Sequence, residues 1–169
     1  IMERLVGSEM CIRDSYQFND DGSLRTNPNS WNEISNLLYV DQPIGTGYSK
    51  GGIHDARNET EVAADMAEFL RGFLVQNPQF EGRDFYITGE SYAGHYVPAI
   101  SHYLLNEATD VNLNLKAIAI GNGLTDPFAQ YPAYATFSYE NDLLTKQWEE
   151  VLNGGFKACQ ALIYESNHK

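Results

Sequence analysis

The 169-residue sequence has few cysteines, few basic residues and no long hydrophobic run. No apolar stretch approaches the ~20 residues that cross a bilayer, and no secretory signal sequence is visible at the start. Its 11 Lys and Arg residues stand against 23 Asp and Glu residues, which gives a formal net charge of −12. Such a charge repels phosphate backbones and anionic lipid surfaces, so we expect neither nucleic-acid binding nor membrane association.

Two cysteines, Cys11 and Cys159, are too few for a disulfide framework. They could pair with each other, both be free, or each pair with a cysteine outside this stretch of sequence. The apolar content of 43% and the aromatic content of 12% predict a globular chain with a core.

The most informative stretch is residues 84–98, where a short apolar run meets a serine between small residues. Residues 85–88 are strand formers, and a segment compatible with a helix follows Ser91. This pattern predicts a nucleophile elbow, a sharp strand-to-helix turn that pushes the serine hydroxyl out at the carboxyl end of the strand. Gly89 and Ala93 leave room for the turn, and the amide of Tyr92 would face a developing oxyanion. Ser91 is therefore the candidate nucleophile.

Three segments in order carry a resemblance to a known family. They are Gly-Glu-Ser-Tyr-Ala-Gly-His-Tyr-Val-Pro at residues 89–98, Asn-Leu-Leu-Tyr-Val-Asp-Gln-Pro-Ile-Gly-Thr-Gly-Tyr-Ser at residues 36–49, and Ile-Gly-Asn-Gly-Leu-Thr-Asp-Pro at residues 120–127. Together they resemble the serine carboxypeptidases, a branch of the α/β-hydrolase fold, over about residues 16–165.

The resemblance implies a serine-type carboxypeptidase that removes C-terminal amino acids from peptides or proteins through an acyl-enzyme on Ser91, without cofactor or metal. It implies that Glu90 binds the substrate's terminal carboxylate, and that Tyr92 adds its amide to the oxyanion hole and its ring to the pocket for the penultimate residue. For Glu90, the alternative is a strand-end acid bonded to local amides. A serine carboxypeptidase-like acyltransferase and a non-catalytic relative are the alternative functions.

The family is much longer than this sequence, so we expect an internal piece of a longer enzyme. The resemblance places the triad Asp and His beyond residue 169, and the chain alone is then expected to be inactive. His95, His102 and His168 are interpreted as non-catalytic. The resemblance also implies the secretory pathway with a vacuolar, lysosomal or extracellular destination, and a disulfide partner for Cys159 further along the chain. The sequon Asn58-Glu59-Thr60 makes Asn58 a candidate glycosylation site.

Residues 1–15 depart from the family, which carries a Gly-Gly-Pro-Gly-Cys-Ser-Ser segment there, preceded by an Asn. We interpret them as a leader foreign to the gene. Residues 16–127 are expected to form a partial α/β-hydrolase core, and residues 128–169 the start of a helical insertion over the active site.

Within that core, turn residues predict a hairpin-like connection over residues 16–31. Residues 37–40 are expected to form a buried strand, followed by a tight turn at Gly45-Thr46-Gly47. Periodicity predicts a helix over residues 59–76, capped by Asn58 and ended by Asn77-Pro78. The elbow strand, a helix over residues 92–106 and a buried strand over residues 113–120 complete a mainly parallel sheet.

Beyond residue 127, two short helices are predicted near residues 145–153 and 156–166, separated by Gly154-Gly155. The aromatic residues between 128 and 139 are expected to fill a core. Asn122 is expected to form a turn with left-handed backbone geometry.

Overall fold

The first unit of the chain is built on a short hairpin. The computed structural model describes residues 15–51 and 56–167, which fall into two compact units divided between Asp55 and Ala56. Strands β1 (Tyr16–Phe18) and β2 (Leu24–Thr26) pair antiparallel. The loop between them closes through a 2.8 Å hydrogen bond from the Asn19 amide to the Ser23 carbonyl. The predicted hairpin is confirmed.

Residues 37–40 are not a strand, which makes the predicted buried strand wrong. Their side chains are half-buried or exposed, and no described residue forms a ladder with them. An apolar run becomes a strand only where a neighbouring strand accepts its backbone hydrogen bonds, and the residues themselves cannot supply that neighbour.

The tight turn after this segment is confirmed. The Asp41 carboxylate accepts a 2.8 Å hydrogen bond from the Tyr48 amide. A Cβ atom on Gly47, whose φ is +53°, would collide with that carboxylate. Glycine at position 47 therefore serves the turn.

The second unit begins with helix α1 (Glu59–Gln76), with the bounds that the periodicity predicts. The Asn58 side chain caps it by accepting a 3.0 Å hydrogen bond from the Glu61 amide. The helix ends at Gln76, and Asn77 is its C-cap before Pro78.

Strand β3 (Asp84–Glu90), helix α2 (Ala93–Asn106) and strand β4 (Asn114–Gly121) follow as one β-α-β unit. The two strands are parallel, with Asp84 opposite Asn114 and Glu90 opposite Gly121. Helix α2 contacts both strands and α1. The predicted α/β class with a parallel sheet is confirmed.

The core of this unit lies between the helices. Its buried side chains come mainly from α1 and α2 and include Val62, Ala67, Leu70, Val97 and Ile100. Strand β4 was expected to be buried on both faces, and this is wrong because Ile118 is 44% exposed. Among the described residues, β4 pairs with β3 alone, so this sheet has two strands.

Helices α3 (Pro127–Glu140) and α4 (Lys146–Asn167) complete the unit. Helix α4 runs straight through Gly154-Gly155, so the predicted pair of short helices is wrong. Each glycine costs a helix about 1 kcal/mol relative to alanine, which a long helix packed on a neighbour tolerates. Tyr131 and Tyr134 of α3 contact Phe156 of α4, with ring centroids 6.3 and 6.5 Å apart. The expectation that the aromatic residues of this stretch fill a core is wrong, because Phe128 and Phe137 are 42% and 62% exposed. Among the described residues, no helix combines the length and apolar character that crossing a membrane requires.

Candidate active site

Ser91 occupies the sharp turn between β3 and α2. Its φ is +59°, a left-handed backbone conformation that few residues other than glycine adopt. The side chain is exposed at the carboxyl end of β3, one residue beyond the strand. The predicted elbow geometry is confirmed: a strained turn presents the serine hydroxyl to solvent.

Backbone hydrogen bonds to the end of β4, to the segment after it and to the first turn of α2 hold this turn. The Ser91 amide donates to the Gly121 carbonyl at 3.0 Å, and the Ser91 carbonyl accepts from the amides of Gly94 and Leu124 at 3.0 and 2.9 Å. These bonds fix both ends of the elbow, so the strain at Ser91 is held by its surroundings.

The elbow also depends on two glycines that neighbouring atoms approach closely. A Cβ atom on Gly89 would collide with the Cβ atom of Ala93, and one on Gly94 would lie 2.6 Å from the carbonyl carbon of Leu124. Protein atoms essentially never come so close to a real Cβ, so side chains are excluded from both positions. The position of Gly89 two residues before Ser91 indicates its role from sequence alone, whereas no local pattern indicates the role of Gly94.

The Tyr92 amide lies at the start of α2, where amides have no partner within the helix. No carbonyl of residues 15–51 or 56–167 accepts a hydrogen bond from it. The helix dipole adds partial positive charge at the same end. The amide is therefore suited to stabilise a negative oxygen next to Ser91.

Glu90 is the last residue of β3 and lies opposite Gly121 in the strand register. Its side chain is half-buried, and its Cγ atom lies 3.8 Å from where a Cβ would stand on Gly121. Asn122, which follows β4, has the positive φ predicted for it, +45°. The structure thus places a carboxylate beside the candidate nucleophile, at the same edge of the sheet.

The Tyr92 side chain makes a contact that the sequence analysis missed. Its hydroxyl donates a 3.0 Å hydrogen bond to Oε1 of Glu59, the first residue of α1. The pKa of the Tyr92 hydroxyl is raised, and this hydrogen bond contributes most to the increase. The ring also lies against His95 and Tyr96, with both centroid distances at 4.9 Å. The partners Glu59 and Tyr92 are 33 residues apart, and no local pattern signals such a pair.

The two histidines of the described residues both lie on α2. His95 contacts the Tyr92 ring, and the Nδ1 atom of His102 lies 3.2 Å from Nδ2 of Asn106. The structure shows no hydrogen bond from either to Ser91 within its described part. This arrangement agrees with a packing role for His95, while His168 lies outside the described residues.

The aspartates that follow Ser91 in the sequence are not paired with a histidine in the described residues. The Asp126 side chain accepts from the amides of Phe128 and Ala129 and so caps α3, and Asp110 is paired with Arg71. Asp142 has a positive φ after α3. The described residues therefore supply a candidate nucleophile, an amide for an oxyanion and a carboxylate, but no serine–histidine pair. They also contain no group of three or more metal-ligating side chains.

Cys159 forms no disulfide within the described residues. The other cysteine, Cys11, and the predicted leader over residues 1–15 lie almost entirely outside them, since the first described residue is residue 15.

Comparison with known proteins gives one consistent answer. A family described as serine carboxypeptidase matches residues 15–168. Serine carboxypeptidase-like 49 of Arabidopsis thaliana is 43% identical over 94% of this chain and 33% of its own length. Serine carboxypeptidase 3 of Hordeum vulgare is 41% identical over 94% of the chain and 34% of its length.

A solved structure is similar as well. It is Kex1(delta)p, a prohormone-processing carboxypeptidase from Saccharomyces cerevisiae, with a TM-score of 0.78 and 30% identity over 92% of this chain and 36% of that one. The chain thus spans about a third of the length of the curated relatives that it matches.

Proposed function

The chain belongs to the serine carboxypeptidase family, with its α/β-hydrolase fold, and we propose that it carries the nucleophile of a serine-type carboxypeptidase. The observation that supports this most directly is Ser91 itself. Ser91 lies between the end of β3 and the first amide of α2, and it has a left-handed backbone conformation and an exposed side chain.

In the proposed reaction, the Ser91 hydroxyl oxygen attacks the carbonyl carbon of the last peptide bond. A histidine base, supplied from outside this chain segment, takes the hydroxyl proton and passes it to the leaving amino group. The negative oxygen of the tetrahedral intermediate accepts a hydrogen bond from the Tyr92 amide. Water then hydrolyses the acyl-enzyme and releases the shortened peptide.

Glu90 is proposed to recognise the free C-terminus of the substrate. Two carboxylates repel each other, but a carboxyl–carboxylate pair that shares one proton forms a strong hydrogen bond. Glu90 lies next to Ser91 at the end of β3, so a terminus bound there would place the last peptide bond near the nucleophile.

Two alternatives differ from this reaction in the fate of the acyl group. In an acyltransferase the same acyl-enzyme forms, but an alcohol or amine attacks it instead of water. In a non-catalytic relative, no acyl-enzyme forms. The exposed Ser91 in a strained turn favours the two enzymatic functions, because such strain persists where it serves a site.

The test uses the full-length protein that contains this segment. It is assayed with an N-blocked dipeptide and, separately, with an activated acyl ester plus an alcohol acceptor. Release of the C-terminal amino acid from the dipeptide, lost by at least about 10⁴-fold in Ser91→Ala, is the expected result. Transfer to the acceptor without peptide hydrolysis would identify the acyltransferase, and inertness towards both substrates would identify the non-catalytic relative.

The 169-residue chain by itself is expected to show no turnover in the same assay, because the described residues bring no histidine to Ser91. A turnover that disappears in Ser91→Ala of this chain would contradict that expectation.

We further propose that the protein passes through the secretory pathway and is glycosylated on Asn58. The Asn58 side chain is exposed, as glycosylation requires. Its Oδ1 atom caps α1, so Thr60→Ala is the better test because it removes the sequon and keeps the cap. On expression in a secreting eukaryotic host, the wild type should migrate more slowly on a gel than Thr60→Ala. Glycosidase treatment should remove this difference in mobility. Equal mobility of the two proteins before treatment would contradict the proposal.

A further inference from the structure

The Tyr92 ring is held on three sides. Its hydroxyl donates to Glu59, and its ring lies 4.9 Å from the rings of both His95 and Tyr96. The contacts with His95 and Tyr96 come from the same helix, whereas Glu59 belongs to α1. Tyr92 as a whole remains 45% exposed, so the residue is accessible to a ligand.

Glu59 is itself held firmly at the start of α1. The residue before it, Asn58, accepts from the Glu61 amide at 3.0 Å, and the Glu61 carboxylate accepts from the Arg57 amide at 2.7 Å. The buried residues Val62 and Ala63 fix the next turn of the helix. Glu59 therefore has a defined position, and its negative charge at a helix N-terminus is favourable.

The hydrogen bond connects this fixed carboxylate with the residue after the nucleophile. The hydrogen bond to Glu59 also raises the pKa of the Tyr92 hydroxyl, which remains the donor of the pair. The ring angle is thus set from α1 and not by α2 alone.

We propose that Glu59 is a positioning residue, which holds the Tyr92 ring where it contacts the penultimate side chain of the substrate. This inference rests on the proposed carboxypeptidase function. Glu59 touches neither substrate nor reacting atoms; it acts through the tyrosine. Its loss should therefore weaken the binding of substrates with a large penultimate side chain and leave the reactivity of Ser91 unchanged.

The test compares Glu59→Ala, Glu59→Gln and Asp65→Ala in the full-length protein. Glutamine keeps an oxygen that can accept from the Tyr92 hydroxyl. Asp65 is an exposed acid on the same helix, so its removal is a matched change of charge. Each variant is assayed with two blocked dipeptides, whose penultimate residue is phenylalanine or alanine.

In Glu59→Ala, KM for the phenylalanine peptide should rise roughly three- to tenfold, the range for one hydrogen bond, while kcat changes little. KM for the alanine peptide should stay within about twofold, and Glu59→Gln should recover most of the loss. Asp65→Ala should behave like the wild type. The rate at which diisopropyl fluorophosphate labels Ser91 should be the same in all four proteins.

The outcomes of this test distinguish the positioning role of Glu59 from the proposed carboxypeptidase function. An active enzyme in which Glu59→Ala and Asp65→Ala have equal constants for both peptides overturns the positioning role alone. Equal losses for both peptides, together with slower labelling of Ser91, would show a general disturbance of the elbow and also overturn it. A wild type that cleaves neither peptide contradicts the proposed function and, with it, this inference.

Discussion

At the scale of single residues, the proposed role of Glu90 predicts how the reaction depends on pH. A substrate carboxylate and Glu90 attract each other only when they share a proton, so binding of free C-termini should weaken as pH rises. Glu90→Gln removes this requirement, since the amide can donate to an ionised terminus at any pH. We expect the pH dependence of KM for a blocked dipeptide to flatten in this variant.

Steady-state kinetics from pH 4 to pH 8 would measure this change. Asp84→Asn is the control, because it removes the same charge at the other end of β3, roughly 20 Å away. An identical pH profile in wild type and Glu90→Gln would contradict the role of Glu90.

Gly94 carries a second prediction at this scale. Its missing Cβ leaves room for the backbone of Leu124, whose amide donates to the Ser91 carbonyl at 2.9 Å. Gly94→Ala should therefore push the elbow away from the segment after β4 and destabilise the protein by about 1–3 kcal/mol. Gly72→Ala on α1 is the control, because no atom lies within 4 Å of its Cβ position. Urea unfolding and the rate of Ser91 labelling would measure both effects, and a neutral Gly94→Ala would contradict the close approach.

At the scale of helices and strands, the sequence predicted correctly those features that depend on a pattern within a single segment. The 3.6-residue period and the Asn58 cap specified α1, and the elbow motif specified the β3–Ser91–α2 connection, because these signals lie within single segments. Residues 37–40 were wrongly predicted as a strand, and β4 was correctly predicted as a strand but wrongly as a buried one. Strand pairing and burial both depend on which other segments lie beside these residues. The Glu59–Tyr92 hydrogen bond could not be predicted for the same reason: it joins two elements that only the fold brings together.

The continuity of α4 yields a prediction about an element. Gly154 and Gly155 lie inside the helix with no atom within 4 Å of either Cβ position. Gly154→Ala should therefore stabilise the protein by about 0.5–1 kcal/mol, because alanine loses less backbone freedom in a helix. The reverse change, Ala161→Gly at an exposed site of the same helix, should destabilise it by a similar amount. Thermal unfolding would measure both, and a destabilising Gly154→Ala would indicate that the helix breaks there after all.

At the scale of the whole molecule, acidity acts on stability in two opposite directions. The excess of acidic residues gives a net charge of −12 at neutral pH. Lowering the pH towards the pI of about 4.6 reduces the repulsion among these negative charges, which favours the folded state. Specific ion pairs are lost at lower pH, where their carboxylates become protonated. The Asp110 carboxylate accepts from Nε and Nη2 of Arg71 at 2.6 and 2.9 Å, which joins α1 to the connection between α2 and β4.

This pair separates the specific effect from the general one. The hydrogen bond from Arg71 lowers the pKa of Asp110 in the folded protein. A carboxyl whose folded pKa lies below its unfolded value of about 3.9 stabilises the fold above that value. Its contribution is lost as the pH falls through the folded pKa. Asp110→Asn should therefore lower the melting temperature at pH 6, and the difference from wild type should shrink towards zero between pH 4 and pH 2.5.

Salt and a control variant sharpen the prediction. Both groups of the pair are partly exposed, so 0.5 M NaCl should reduce the difference at pH 6. Asp65→Asn, on the exposed face of α1, changes the net charge by the same amount and should show little difference at either pH. A loss in Asp110→Asn that stays constant from pH 6 to pH 2.5 would mean that packing, and not the ionised carboxylate, joins these elements.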